Sequence, residues 1–219
     1  MSKAVLYSIQ PLHCFNITTG LKLAEVRTKK PKIDLPFKAY IYCTKAQEFF
    51  IRGRIRESLQ DLYRLPSGEI KYGYSGELMC YGEGEYDENN FLNGKVIGEF
   101  ICKEIKEYTE EKLFEGMDEI NRSFAEEYSC LSIDDLLAYK GKKDVLYFID
   151  ISDLVIYDKP KELSEFYREC EENECDNCPY FHFENTPCSY EGECMVDEKI
   201  PIKRAPQSYC FVEELQEHG

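Results

Sequence analysis

Tryptophan is absent from these 219 residues, and histidine occurs only three times, at His13, His182 and His218. The three lie far apart in sequence. That argues against a histidine-based triad and leaves acid–base work to carboxylates, lysine or tyrosine. The chain has no phosphate loop, no Gly-x-Gly-x-x-Gly and no His-Glu-x-x-His, so the chemistries those motifs carry have no footing here. It lacks any run of about 18 apolar residues, and no membrane-spanning helix is expected. The opening MSKAVLYSIQPLH has neither a long apolar run nor a small-residue cleavage site, so the expected compartment is the cytoplasm. Basic residues are outnumbered, 27 against 42, for a net charge of -15. A general nucleic-acid binder would want the opposite balance.

What is present is enough for a folded core, with 43% hydrophobic residues, 17 Tyr and 13 Phe. The charge is unevenly spread. Residues 20–64 hold eleven Lys/Arg against five Asp/Glu, so this segment is +6 and the remainder -21. A basic face on an acidic body suits a local anion site better than a groove that tracks a nucleic-acid backbone. Scattering of the same charges around the surface is the alternative.

Along the chain, Ala4–Ile9 reads as a buried strand, and Pro11 suits the first turn of a helix closed by Gly20. Strands are expected at Ala24–Thr28, at Phe37–Cys43 and at Lys95–Ile105. In the last of these Val96, Gly98 and Phe100 share one face. Ile55, Leu59, Leu62 and Leu65 recur at helix spacing. Residues 109–128 are charged and helix-prone. Ser132 with Asp135 caps a helix from Ile133 to Tyr139. Asp144–Tyr157 reads as a strand pair ended by Pro160, and Gln207–Glu213 as a closing strand. Strands interrupted by short helices predict an α+β fold, a small mixed barrel.

The densest chemistry is GLKLAEVR, Gly20–Arg27, followed by the basic TKKPK. Glu25 and Arg27 project from one face of a strand. With Lys22 they would grip a polar, anionic ligand at the barrel rim; the alternative is an ordinary solvated strand edge. Eleven cysteines divide into six dispersed ones, read as small core residues, and five in Cys170-x4-Cys175-x2-Cys178-x9-Cys188-x5-Cys194. In a cytosolic chain that knuckle spacing favours a structural zinc held by Cys175, Cys178, Cys188 and Cys194, with Cys170 or His182 as substitutes. Disulfides or free thiols are the alternatives. Residues 169–198 carry ten acids and no Lys or Arg, a poor surface for nucleic acid and one better suited to a protein partner.

Taken together, LYSIQP (Leu6–Pro11), GLKLAEVR, AYIYCT (Ala39–Thr44) and GKVIGEF (Gly94–Phe100) resemble the ASCH family, a branch of the PUA-like barrels. YFIDISDLVIYDKPKELSEF (Tyr147–Phe166) and RAPQSYCFVEEL (Arg204–Leu215) resemble a longer form found in bacteriophage and prophage proteins. The resemblance implies a PUA-like barrel over 1–166 with insertions at about 46–93 and 107–142. A cysteine-rich lobe would fill 167–203, and 204–219 would close the barrel. It implies a module binding RNA, a modified base or a nucleotide at Lys22, Glu25 and Arg27, with Tyr42 and Thr44 as neighbours. If the chain is phage-encoded, its compartment is the host cytoplasm. Two other readings follow. One is an enzyme acting on RNA or a modified nucleoside, a ribonuclease or amidohydrolase using Lys22 and Glu25. The other is an acidic inhibitor of a host protein. The family's amidohydrolase branch has a threonine where this chain has Glu25, which removes the hydroxyl nucleophile. Gln10, Phe148 and Tyr209 also depart from the pattern.

Overall fold

The computed structural model describes residues 2–46, 48–54, 69–72, 77–83, 92–114, 125–168, 189–190, 193–194 and 200–215. Strands β1 (Lys3–Ile9), β3 (Phe37–Cys43), β7 (Lys95–Cys102), β10 (Ser152–Glu162) and β15 (Tyr209–Glu213) form a five-stranded sheet in the order β10-β7-β3-β1-β15. β1 and β3 run parallel, and the other pairs run antiparallel. A parallel pair needs a crossover. Here it is made by helix α1 (Pro11–Thr18) and by β2 (Ala24–Arg27), which leaves for a second sheet of order β2-β9-β8. In that sheet β8 is Ile105–Thr109 and β9 is Val145–Asp150. β4 (Glu48–Arg54), β5 (Glu69–Tyr72) and β6 (Glu77–Glu83) make a third sheet, with β4 and β6 against α1. The fold is α+β and sheet-rich, and among the described residues no ladder joins the first two sheets into a closed barrel.

Three apolar layers follow from strand alternation. The central one lies between the two sheets and holds Val5, Tyr7, Ile9, Ala39, Ile41, Phe100 and Ile149 beneath Cys14, Phe15 and Ile17 of α1. The outer face of the large sheet buries Leu6, Tyr40, Tyr42 and Val96 against Phe166, Ile202 and Val212. The outer face of the small sheet buries Ala24, Val26, Leu146 and Phe148 against Ile133 and Leu136 of the helix Ile133–Lys140. Ser132 caps that helix by accepting from Asp135 N, and Gly141 (φ 54) ends it.

Four expectations are corrected. Val96 and Phe100 face opposite cores, because the pairing steps from Ile41↔Gly98 to Tyr42↔Val96. Ile97 is the extra residue of a bulge, which inverts the alternation. Asp144–Tyr157 does supply two strands, but β9 joins the small sheet and β10 the large one. Pro160 does not end β10. The strand runs on to Glu162 because Pro160 falls in the register shift between Ile156 and Lys161 on an edge strand, where no ladder N–H is required. The strand expected over Lys95–Ile105 ends at Cys102, and Ile105 opens β8 in the other sheet; a helix follows at Glu110–Phe114, inside the stretch expected to be helix-prone. The expected helix from Ile55 to Leu65 lies outside the described residues.

Gly98 sits where β10 crosses closest. A Cβ there would lie 2.4 Å from the Val155 carbonyl oxygen and 3.0 Å from Ile156 Cδ1. Gly98→Ala should lower unfolding stability by about 1–3 kcal/mol through overpacking. Urea unfolding would show a lower midpoint at unchanged slope, and an unchanged midpoint would contradict this close approach.

Candidate functional site

The triad begins with the way α1 stops. Gly20 adopts φ 74, a region closed to most side chains, and the backbone N–H groups of Leu21 and Lys22 both donate to Asn16 O at 2.9 Å. That turn sends Lys22 inward. β2 then alternates, with Ala24 and Val26 toward the helix layer and Glu25 and Arg27 toward the space between the sheets. The rim expectation is thereby corrected. Lys22, Glu25 and Arg27 are 2%, 5% and 7% exposed, neither a rim nor a solvated strand edge.

Lys22 Nζ donates to Ser129 O at 2.8 Å and lies 3.6 Å from Glu25 Oε2. Ser129 ends a helical stretch over residues 125–129, and Cys130 turns the chain away with φ 54. The ammonium therefore meets the carbonyl end of that stretch, where a cation is favoured. Arg27 Nη2 donates to Glu25 Oε1 at 2.9 Å and to Ser8 O at 2.6 Å. Nη1 reaches Ser208 Oγ at 3.4 Å, and the guanidinium lies 5.4 Å from the centre of the Tyr7 ring. Two cations and one carboxylate are thus enclosed together. Their bonding is incomplete: among the described residues, Tyr7 Oη, Glu25 Oε2 and Arg27 Nε are buried and have no hydrogen-bond partner.

Burial sets the titration of this cluster. Desolvation lowers the Lys22 ammonium below its ordinary value, against the pull of Glu25. Desolvation raises the Tyr7 phenol far above its ordinary value, helped by the neighbouring Cys102 thiol and opposed by Arg27. The Cys14 thiol is raised well above its usual range by burial and by its hydrogen bond with Cys43.

Lys22, Glu25 and Arg27 do come together. Tyr42 does not join them, because it belongs to the opposite face of the large sheet, packed with Leu6, Tyr40 and Val96. Thr44 follows β3 half-buried, its N–H donating to Ile9 O at 2.8 Å and its carbonyl accepting from Asn93 Nδ2 at 3.2 Å. Tyr7 is the residue that sequence reasoning missed. In an otherwise apolar strand its ring counts as core, and the only hint was a hydroxyl just before the Ser-Ile-Gln-Pro run. Of the cysteine set, Cys170, Cys175, Cys178, Cys188 and His182 lie outside the described residues. The backbone of Cys194 pairs with Ser189 in a two-stranded ladder, β12 (Ser189–Tyr190) with β13 (Glu193–Cys194). On the far side of Ala24 a cavity of about 20 Å³ is lined by Tyr108, Tyr128, Phe148, Glu104 and Asp150. That is room for about one water molecule. No helix among the described residues is long and apolar enough to cross a membrane.

The chain is similar in structure to an ASCH protein from Zymomonas mobilis. The match has a TM-score of 0.48 and 14% identity, covering 96% of this chain and 88% of that one. A serine-to-alanine mutant of the same protein matches at TM-score 0.46 and 13% identity, over 96% of this chain and 89% of that one. A tyrosine-to-phenylalanine mutant matches at 0.42 and 14%, over 73% and 76%. No protein-family model and no curated protein matches the chain. At this level of likeness, the chemistry of the site has to be read from the residues themselves.

Tyr7, Tyr157 and Tyr40 give this protein a signature at high pH. Burial lifts the Tyr40 phenol to about 12 and lifts Tyr7 and Tyr157 further, Tyr157 also through its bond to Glu99. In the unfolded chain these phenols ionise near pH 10, while the native state keeps their protons. Their contribution is therefore complete below pH 10 and lost as pH rises, by about 1.4 kcal/mol per pH unit for each tyrosine. Lys22 acts with the opposite sign but is outnumbered, since burial also raises Tyr42, Tyr108 and Tyr209 and the thiols of Cys14, Cys102 and Cys210. Stability measured by urea unfolding should fall between about pH 10 and about pH 12, and Tyr7→Phe should flatten that fall.

Proposed function

We propose that the chain is a nucleic-acid or modified-nucleotide binding module of the ASCH/PUA-like type, with its ligand seated against Lys22, Glu25 and Arg27. The observation that carries this reading is the enclosed cluster of two cations and one carboxylate, with a net positive charge, inside a protein whose overall charge is -15. Holding such a charge away from water costs several kcal/mol, and a cluster of that kind is seldom the cheapest way to fill a core. The chain leaving the triad supports it further. Lys29, Lys30 and Lys32 follow Arg27 and are exposed. Lys30 pairs with Glu107 at 2.6 Å and lies 5.5 Å from the Tyr147 ring. These lysines offer phosphate contacts beside the interior site, and the acidic surface elsewhere confines binding to a short stretch.

The test is binding of short single-stranded RNA, followed by fluorescence anisotropy across a salt series. Two or three phosphate contacts predict a log–log salt slope no steeper than about 2. Replacing Lys29, Lys30 and Lys32 together by alanine should flatten that slope and leave the melting temperature unchanged. If neither RNA nor any mononucleotide or nucleoside binds, the reading falls.

We also propose that Cys175, Cys178, Cys188 and Cys194, with Cys170 or His182 as substitutes, hold a structural zinc. Their spacing supports this, as does a segment too acidic and too short of apolar residues to fold unaided. Protein purified without chelator should carry about one zinc per chain, with thiols released only on chelation. No metal, together with fewer than eleven titratable thiols, would point to disulfides instead.

A further inference from the structure

We propose that the outer face of the small sheet holds a site for a primary ammonium group on an unbranched alkyl stem, as carried by a lysine side chain or a polyamine. The site is the cavity over Ala24, on the opposite face of β2 from Glu25 and Arg27, and it does not depend on the binding function proposed for that cluster. Strand alternation builds it. Lys106 and Tyr108 share one face of β8, Phe148 and Asp150 the same face of β9, and Ala24 lies opposite Asp150 in the ladder. Ala24 contributes only a methyl group, so a space is left over it. Tyr128 forms a wall, held there because its carbonyl accepts from the Leu23 N–H at 2.9 Å. Glu104 stands beside Asp150, its carbonyl accepting from the Asp150 N–H at 3.0 Å. The mouth is open to water, with the side chains of Glu104 and Lys106 62% and 43% exposed.

The lining selects the ligand. Glu104 and Asp150 bring two carboxylates and Lys106 one ammonium, so one negative charge is in excess and an anion is disfavoured. Tyr108, Tyr128 and Phe148 supply aromatic rings, with the Tyr108 and Phe148 centroids 4.5 Å apart. Rings beside carboxylates attract an organic cation. A divalent metal would ask for about six oxygen ligands, and this lining is largely aromatic. Size narrows the choice further. The space of about 20 Å³ has room for about one water molecule. A compact ammonium head fits it, whereas a planar guanidinium or a trimethylammonium group is larger. The protein already shows the pairing with a side chain of its own. Lys106 Nζ lies 5.8 Å from the centre of the Tyr128 ring and 3.6 Å from Glu104 Oε2. Lys106 is half-exposed, so it can withdraw into water and give up these partners to an incoming ammonium. Asp150 stays in place, its Oδ2 accepting from Ser152 Oγ at 2.6 Å.

The experiment titrates the full, isotope-labelled chain with Nα-acetyllysine amide at low salt and follows the backbone amide shifts by NMR. Its Nζ-trimethyl derivative, Nα-acetylarginine amide, and potassium chloride at equal ionic strength are the comparisons. The lysine derivative should move the amides of Lys106, Tyr108, Tyr128 and Asp150 saturably, with a millimolar Kd. The comparisons should bind there more weakly. Lys106→Met should tighten binding by about fivefold and Glu104→Gln should weaken it by about fivefold, the effect of one charge at contact distance. Both side chains reach solvent, so the melting temperature should hold in each variant. Side chains with a purely structural role would not give opposite signs. Spermidine separates the two sources. Binding more than about tenfold tighter than that of the lysine derivative marks a polyamine as the ligand, and anything less marks the lysine of a protein partner. If the lysine derivative gives no saturable shift at those amides, if the comparisons match it, or if Lys106→Met fails to tighten binding, the inference is overturned. None of these results touches the binding proposed for Lys22, Glu25 and Arg27.

Discussion

The structure depends on one buried guanidinium. Arg27 stands on β2 of the small sheet and donates to the carbonyl of Ser8 on β1 of the large one, at 2.6 Å. It holds Glu25 at 2.9 Å on its own strand and reaches Ser208 just before the closing strand. No backbone ladder joins the two sheets among the described residues; beside the short links from β7 to β8 and from β9 to β10, this side chain and the apolar layer around it bridge them. The planar fork is why an arginine can do this. Its donors lie in fixed directions and reach a carboxylate, a carbonyl and a hydroxyl at once, whereas a lysine in its place would be a single point charge.

A cluster of this kind is asymmetric in its energetics. Replacing all of it by well-packed apolar side chains is often neutral or stabilising, whereas removing a single partner strands a buried charge at a cost of about 3–5 kcal/mol. Lys22, Glu25 and Arg27 are therefore coupled. Truncating Glu25 would leave two cations facing each other in the interior, and loss of Arg27 would expose the Ser8 carbonyl and the Glu25 carboxylate together. The same coupling explains why the titrations of Lys22 and Tyr7 shift in opposite directions under one cause, since each retreats from its charged form when water is excluded.

The strands and helices of the first forty residues were legible in the chain because local signals agreed there: an apolar run, Pro11 at a helix start, Gly20 at a helix end. Ser132 and Asp135 announced their helix in the same way. The partnership of Lys22, Glu25 and Arg27 was also legible, from spacing on one strand. Their burial was not, because it depends on the small sheet closing over them and on Ser129, more than a hundred residues away. The bulge at Ile97 and the parting of β9 from β10 were hidden for a related reason. Each is decided by a partner strand rather than by the residues that form it. Pro160 misled because proline's rule concerns a missing donor, and a register shift on an edge strand asks for none there.

Several other buried polar groups among the described residues are provided for. Ser8 Oγ donates to Pro206 O, Ser129 Oγ to Ala125 O, Thr19 Oγ1 to Phe15 O, and Lys140 Nζ to Glu110. Tyr7 Oη and Arg27 Nε stand out beside them, buried and without a hydrogen-bond partner among the described residues. Local conflicts with good packing gather where a protein has a use for them. Ser8 Oγ is satisfied, whereas its strand neighbour Tyr7 keeps a buried hydroxyl with no hydrogen-bond partner among the described residues.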